Sequence, residues 1–433
     1  MEQARKSAQD LIDFIHESAS PFHAVEQLSL QLDKAGFSEL KLDEAWELKK
    51  GGKYYLTRNG SALFAFVVGM GAPQTEGFRI VAAHSDSPGF KIKPQAEMVV
   101  EDHFVKLNTE VYGGPVLMSW IDRPLSMAGR VSLKSSEPLW PDNRLVNFKR
   151  PLLTIPGLAI HLNRSINEGM EINRQKDVLP LLGLLPEKGS EKDFLKKLLA
   201  DELGVHPADI LDYDLSLNEV QKGCLLGVHN EFISSPKLDN LAMTHAGLLA
   251  LLNSPPGAAT QMLCIFDNEE VGSLTKQGAD SPLFKNIFKR ILALQGLSQE
   301  EIHRTVYRSF MVSADMAHSL HPNYPEKHDP NLHPLLNKGP VIKITANQKY
   351  TSDGDSIAVF EALCEQAGVP CQKFVNRSDM AGGSTLGNLS TGQLDIRSVD
   401  VGNPMLAMHS VRELAGVDDH LYMIRAMEAF FAL

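Results

Sequence analysis

Apolar positions at the start of the chain recur with a helical period. Leu11, Ile12, Phe14 and Ile15 share one face, which predicts a helix ending near Ser18. Ser20 and Pro21 are residue types that cap and open a helix, and Val25, Leu28 and Leu32 carry a second one to Gly36. The period then shortens. Lys53 to Leu56 and Leu63 to Val68 read as strands separated by Asn59-Gly60, a dipeptide that often closes a hairpin. Phe78 to Ala83 is an apolar strand that stops abruptly at His84.

From Pro94 to Ser234 the texture changes. Short strand-like pieces, His103 to Leu107 and Gly129 to Leu133, are broken by Gly113-Gly114-Pro115, Pro124, Pro138 and Pro141, and Glu187 to Leu203 is a charged, helix-like patch. After Asp239 the rhythm alternates: helix (Leu241 to Leu252), strand (Gln261 to Phe266), helix (Phe284 to Leu294), strand (Phe310 to Ala314). That alternation predicts an α/β fold, a mixed, mostly parallel sheet flanked by helices. Residues 1–93 and 235–433 then form the main domain, and 94–234 an inserted, mostly β domain. A chain of 433 residues is long enough for this division.

Composition narrows the functional classes. A net charge of -11 argues against electrostatically driven nucleic-acid binding, which calls for a basic stripe. No run approaches membrane-spanning length, and the N-terminal segment, with Glu2, Arg5, Lys6, Asp10 and Asp13, lacks the unbroken apolar core of a signal peptide. Four scattered cysteines without a CxxC indicate neither a disulfide framework nor a zinc ribbon, and fit a reducing cytoplasm.

Three apolar runs end in metal-capable residues: Phe78 to Ala83 in His84-Ser85-Asp86, Met262 to Phe266 in Asp267-Asn268-Glu269-Glu270, and Phe310 to Ala314 in Asp315. In open α/β sheets ligands bind beyond the carboxyl ends of the strands, so these termini are expected to converge. One histidine among several carboxylates is electrostatically costly without a cation. Mixed imidazole and carboxylate donors suit zinc, with Mn or Co as substitutes. Two adjacent metals need about one bridging carboxylate and two further ligands each, and His84, Asp239, Glu270, Asp315 and His409 supply that number. Each signal alone is weak: a histidine after a strand is usually structural, a Glu-Glu pair usually a solvated helix start, and Asp239-Asn240 before a helix usually an N-cap.

Six ordered segments change that balance: AAHSDSPG (Ala82 to Gly89), SPKLDNLA (Ser235 to Ala242), DNEEVGS (Asp267 to Ser273), SADMAHSLHPNY (Ser313 to Tyr324), GPVIKITANQKY (Gly339 to Tyr350) and MHSVRE (Met408 to Glu413). Together they closely resemble the M18 metallo-aminopeptidases, the aspartyl aminopeptidase family. The resemblance implies a peptidase with two zinc ions per subunit, bridged by Asp239. His84 and Asp315 complete one site, Glu270 and His409 the other. Asp86 fixes the His84 tautomer, and Glu269 is the general base that takes a proton from the attacking water and returns it to the leaving amine.

The resemblance further implies catalytic flanking domains, an inserted dimerisation domain, peptide substrates, and a homo-oligomer of dimers assembled into a dodecamer. His161, in the inserted domain, is either a metal ligand or a substrate contact reaching into a neighbouring subunit. His318, His321, His328 and His333 lie in a proline-rich loop that reads as an active-site wall, with His321 near the substrate. Asp379 and Gly383, in SDMAGGST, belong to a substrate-facing loop whose glycines permit close backbone approach. Acid-selective members carry Lys where this chain has Asn347, and Lys349 is nearby, so a preference for N-terminal acidic residues is an open expectation. Two alternatives remain on the same fold: a two-metal deacylase or amidase acting on small N-acyl compounds, and a catalytically inactive assembly protein.

Overall fold

The computed structural model describes residues 2–185 and 193–433. It divides into two compact units, one made of residues 1–86, 223–408 and 413–433, the other of residues 87–222 and 409–412.

The first unit is built on a nine-stranded sheet. In chain order its strands are β1 (Ser38–Glu39), β2 (Lys53–Arg58), β3 (Ala62–Val67), β4 (Phe78–His84), β5 (Thr260–Phe266), β6 (Phe310–Ala314), β7 (Val341–Ile344), β8 (Gln372–Val375) and β9 (Arg397–Gly402). Their spatial order is β1-β2-β3-β5-β4-β6-β9-β7-β8. The central strands β5, β4, β6 and β9 are mutually parallel, with Phe266 level with His84 and Ala314 with Val401. This is the expected α/β architecture, a mixed sheet flanked by helices.

Alternation along the strands sets the layers, because successive side chains point to opposite faces. Val81, Ala83, Leu263 and Ile265 join one core with helices Glu2–Glu17, Pro21–Lys34, Leu238–Asn253, Gly354–Ala367 and Val417–Phe431. Ile80, Ala82, Cys264 and Phe266 join the other, with Leu283–Leu294, Gln299–Arg308 and Leu386–Leu394. Near-continuous apolar strands are what a sheet covered on both faces requires. Pro21 occupies the first turn of its helix as expected, but Ser20 does not cap it by its side chain; its Oγ lies 2.8 Å from His23 Nδ1 instead. A separate five-stranded sheet (Cys224–Leu226, Phe232–Ser235, Glu413–Gly416, Pro404–Leu406, Ala317–His318) completes this unit.

The second unit is a six-stranded antiparallel sheet ordered Asp142–Asn147, Leu125–Leu133, Ile210–Glu219, Gly89–Val100, Phe104–Tyr112, Leu181–Leu184. Its core holds Phe90, Trp120, Leu215, Leu217 and Val411. The helix expected around Glu187 to Leu203 is present as Phe194–Leu203; residues 187–192 lie outside the described residues. Pro94 does not begin this unit. It sits inside strand Gly89–Val100 where the register shifts between Ile92 and Glu97 and Gln95 takes φ 51°, a bulge that tolerates a residue with no N–H to donate. Among the described residues no helix is long and apolar enough to cross a membrane.

Candidate active site

The carboxyl ends of β4, β5 and β6 lie side by side, and the polar residues that follow them meet there. His84 ends β4. Thr244 Oγ1 donates to its carbonyl (2.9 Å), and the next residue is tied down by Ser85 N donating to Phe266 O (2.8 Å). The imidazole is 1% exposed. Its Nδ1 edge faces Asp86, 3.1 Å from the backbone oxygen and 3.3 Å from Oδ1. Nε2 therefore faces the opposite way, 3.6 Å from Asp239 Oδ1, 3.6 Å from Asp315 Oδ1 and 3.9 Å from Glu269 Oε2.

Asp86 has a second task. Its two carboxylate oxygens accept the backbone N–H groups of Glu269 (3.1 Å) and Glu270 (3.2 Å), at the start of the short turn Glu269–Val271 that follows β5. One carboxylate thus orients both the imidazole and the two glutamates. Asp239 and Asn240 leave helical φ/ψ within the first turn of helix Leu238–Asn253, a kink that sets Asp239 at the site. Glu413 accepts from Asp239 N (3.0 Å), and Asn240 Nδ2 donates to Ala314 O (2.9 Å), so the turn is pinned from both sides.

Within the first unit, two groups of three residues bring ligand atoms within 4.8 Å of one another: His84, Asp239 and Asp315, and His84, Glu269 and Glu270. The positive charge beside them is Lys343, in β7, whose Nζ donates to Asp315 Oδ2 (2.9 Å) and Met316 O (3.1 Å). Burial opposes the charge on Asp315, but Lys343 and His84 overcome it and hold the carboxyl well below the usual range. Burial also disfavours the His84 imidazolium, yet Asp315 and Asp86 outweigh it and raise the ring well above its ordinary value. Glu269 is pushed up to about 8, chiefly by burial, with His84 pulling down and Asp315, Asp86 and Asp239 pushing up. Glu270 is raised well above the carboxylate range by burial and by Asp239.

Such a set is short of positive charge. Five carboxylates, Asp86, Asp239, Asp315, Glu269 and Glu270, crowd one imidazole and one ammonium, and burial together with this crowding pushes Glu269 and Glu270 towards their protonated forms. A divalent cation relieves this crowding, and buried nitrogen and oxygen donors together fit zinc.

The remaining expected residues fall in three places. His409 lies in the second unit, one residue past Met408; its Nδ1 is 3.1 Å from Gly114 O and its carbonyl accepts from Val116 N (2.9 Å). Arg412, in the same segment, closes an ion cluster with Glu219 (2.8 Å), which also binds Arg123 (2.6 Å). His161 stands on an exposed turn of the second unit between Ile160 and Leu162, 49% and 75% exposed. His321 and Gly383 line one cavity of about 260 Å³ in the first unit, which also borders Phe374 and Val375 of β8. Asp379 pairs with Arg377 (2.8 Å), Lys349 Nζ donates to Gly382 O (2.9 Å), and Asn347 is exposed.

Sequence reasoning did not single out Lys343, Glu413 or Arg412. The signal for Lys343 was available: a lone lysine inside the apolar run Val341-Ile342-Lys343-Ile344 must find a buried partner.

Comparison with known proteins agrees with this geometry. The family model for aminopeptidase I zinc metalloprotease (M18) matches residues 14–431. A probable M18 family aminopeptidase 2 of Clostridium acetobutylicum is 52% identical over 433 residues, all of both chains. Among solved structures, a chain of the Ape4 and Nbr1 complex superposes with a TM-score of 0.95 at 37% identity, covering 99% of this chain and 86% of that one. A subunit of the S. cerevisiae mApe1 dodecamer gives 0.85 at 27% identity, covering 98% and 96%. A whole-length family match, a relative identical at half of all positions and a strand-end cluster suited to zinc lead to one conclusion: the chain belongs to the M18 family of zinc metallo-aminopeptidases.

Proposed function

We propose that the chain hydrolyses the N-terminal residue from peptides at a centre where His84, Asp239, Asp315, Glu270 and His409 would hold two zinc ions, with Asp239 available to both. The observation that carries this reading is the orientation of His84: Asp86 occupies one ring nitrogen, and the other faces Asp239, Asp315 and Glu269 at 3.6 to 3.9 Å. Asp86 keeps the ring turned that way, as carboxylates beside metal-binding histidines do. When bound, zinc supplies Lewis acidity, polarising the scissile carbonyl and acidifying the attacking water.

The chain's own residues do the rest. Glu269 shares the site without a coordinating role, and its carboxylate accepts the water proton and delivers it to the leaving amine. The backbone hydrogen bond from Glu269 N to Asp86 holds that carboxyl in place. Lys343 keeps Asp315 ionised and aimed at the site. His321 and Gly383 border the cavity that takes the first side chain, with Lys349 bracing its Gly382 wall and the Arg377–Asp379 pair holding the loop. Asn347 offers no charge to a carboxylate, so acidic N-terminal residues are accepted without strict selection.

His161 acts from a neighbouring subunit. Leu158, Ile160 and Leu162 around it are 51%, 49% and 75% exposed, an apolar surface suited to a partner chain, and a structural neighbour is a dodecamer. The second unit accordingly serves dimerisation within a homo-oligomer, and the enzyme works in the cytoplasm on peptides. Chelation followed by zinc restoration tests the reading. Activity that vanishes and returns, with two zinc ions per chain, supports it; activity indifferent to chelation contradicts it. Cleavage of N-acetylated but not free peptides would favour a deacylase.

A further inference from the structure

A second cavity of the first unit, about 300 Å³, has a charge character opposite to that of the chain as a whole. Arg58, Lys276 and Arg290 line it, and among the described residues no Asp or Glu does. Arg290 is committed to structure: its guanidinium stacks 3.7 Å from the Trp46 ring centre and donates to the carbonyls of Leu42 (2.8 Å) and Glu44. The side chains of Arg58, half-buried, and Lys276, exposed, have no hydrogen-bond or ion-pair partner among the described residues. In a protein of net charge -11, two cations without protein partners at one open cavity are a ready receptor for an anion.

The sheet register locates this cavity relative to the zinc-suited cluster. Thr57 is level with Leu63, Leu63 with Ile265, and Ile265 with Ala83. β2 and β4 run in the same direction, so Arg58 and His84 both stand one residue beyond that row. Leu56 and Ala82, each two residues earlier, belong to the same core, so Arg58 and His84 also point to the same face. Three interstrand steps separate them, roughly 14 Å along the carboxyl rim. An extended peptide rises about 3.4 Å per residue, so that span equals about four residues. The His321–Gly383 cavity borders β8, on the other side of β4 in the sheet order.

We propose that the Arg58–Lys276 cavity is a substrate subsite that binds a carboxylate on the departing peptide, about four residues beyond the cleaved bond. This rests on the aminopeptidase reading and adds to it a preference of the enzyme for short peptides whose C-terminal carboxylate reaches the cavity. The peptide's N-terminal side chain occupies the His321 side, and its remainder runs along the rim towards β2. Asn286, also lining the cavity, offers an amide to the same anion. Dipeptides end too soon to profit.

The test compares a pentapeptide as free acid and as C-terminal amide, with the corresponding dipeptide pair. For the wild-type enzyme the acid pentapeptide should show a KM about tenfold below its amide, the scale of a hydrogen bond to a charged group, and the dipeptide pair should show no such gain. In the double variant R58A/K276A, checked for unchanged zinc content, the pentapeptide ratio should collapse to about one. Direct binding of both pentapeptides to Glu269→Gln protein should show the same ratio without turnover. Equal KM values for acid and amide in the wild type, or a ratio that survives in R58A/K276A, would overturn the subsite. Failure to release any N-terminal residue, even from the dipeptides, would instead overturn the aminopeptidase reading on which it rests.

Discussion

Replacing Lys343 with methionine removes the ammonium that offsets the carboxylate cluster and keeps much of its volume. Lys343 is 3% exposed and its Nζ lies 2.9 Å from Asp315 Oδ2. At an effective dielectric of about 20, a pair at that separation attracts by about 6 kcal/mol. Desolvation of both ions offsets part of this, and breaking a buried pair typically costs about 3–5 kcal/mol because the surviving charge is stranded. Without metal, K343M should therefore lose about that much stability. With zinc bound the loss should be at least halved, since the dication then faces Asp315. The assay is urea unfolding followed by circular dichroism, with chelator and with saturating zinc. A chain of two units need not unfold in one step, so the shift is read on the zinc-sensitive transition. A loss below about 1 kcal/mol without metal, or an equal loss in both conditions, would refute the charge-balance reasoning.

Other outcomes follow from the same geometry. In the metal-free protein Glu269 is raised to about 8 and Glu270 well above its ordinary range, so zinc binding must release the proton of Glu270, a ligand in the proposed reading, and its added positive charge lowers Glu269 towards the ionised form that a base requires. Zinc affinity measured by competition should consequently rise with pH through about 8, and a flat profile from pH 6 to 8.5 would count against those shifts. Asp86→Asn removes the charge that orients His84 and weakens the anchor of Glu269 and Glu270; zinc affinity should fall about 10- to 100-fold, and an unchanged affinity would sink that role. At Gly402 a Cβ would stand 1.9 Å from Asp315 O, so Gly402→Ala should displace the Asp315 peptide, cost on the order of 1–3 kcal/mol and lower the zinc content; a fully loaded, equally stable variant would show the contact to be harmless.

Much of this arrangement was legible in the chain because strand ends leave a local mark. An apolar run halting at His84, at Asp267 and at Asp315 signals both the strand and the rim where ligands collect. Residues that act through long-range packing leave no such mark. Glu413 reaches Asp239 N across 174 positions, and Lys343 reaches Asp315 across 28. Neither spacing carries a period. The edge of the second unit was hidden for a different reason: a proline usually breaks a strand, but Pro94 sits at a bulge that absorbs it, so strand Gly89–Val100 runs through the apparent boundary. His409 to Arg412 belongs to that unit, where His409 O accepts from Val116 N, Val411 joins the core and Arg412 pairs with Glu219, contacts that no local pattern announces.

Substitution of Glu269 by glutamine tests the central claim most directly, because it removes one charge and one proton acceptor while preserving shape. Zinc content and turnover are measured on the same preparation. The account predicts that the zinc stays, since it assigns Glu269 as base and not as ligand, while kcat falls by about 10²- to 10⁴-fold, the usual contribution of a general base. Near-normal turnover, or loss of zinc together with activity, would contradict it.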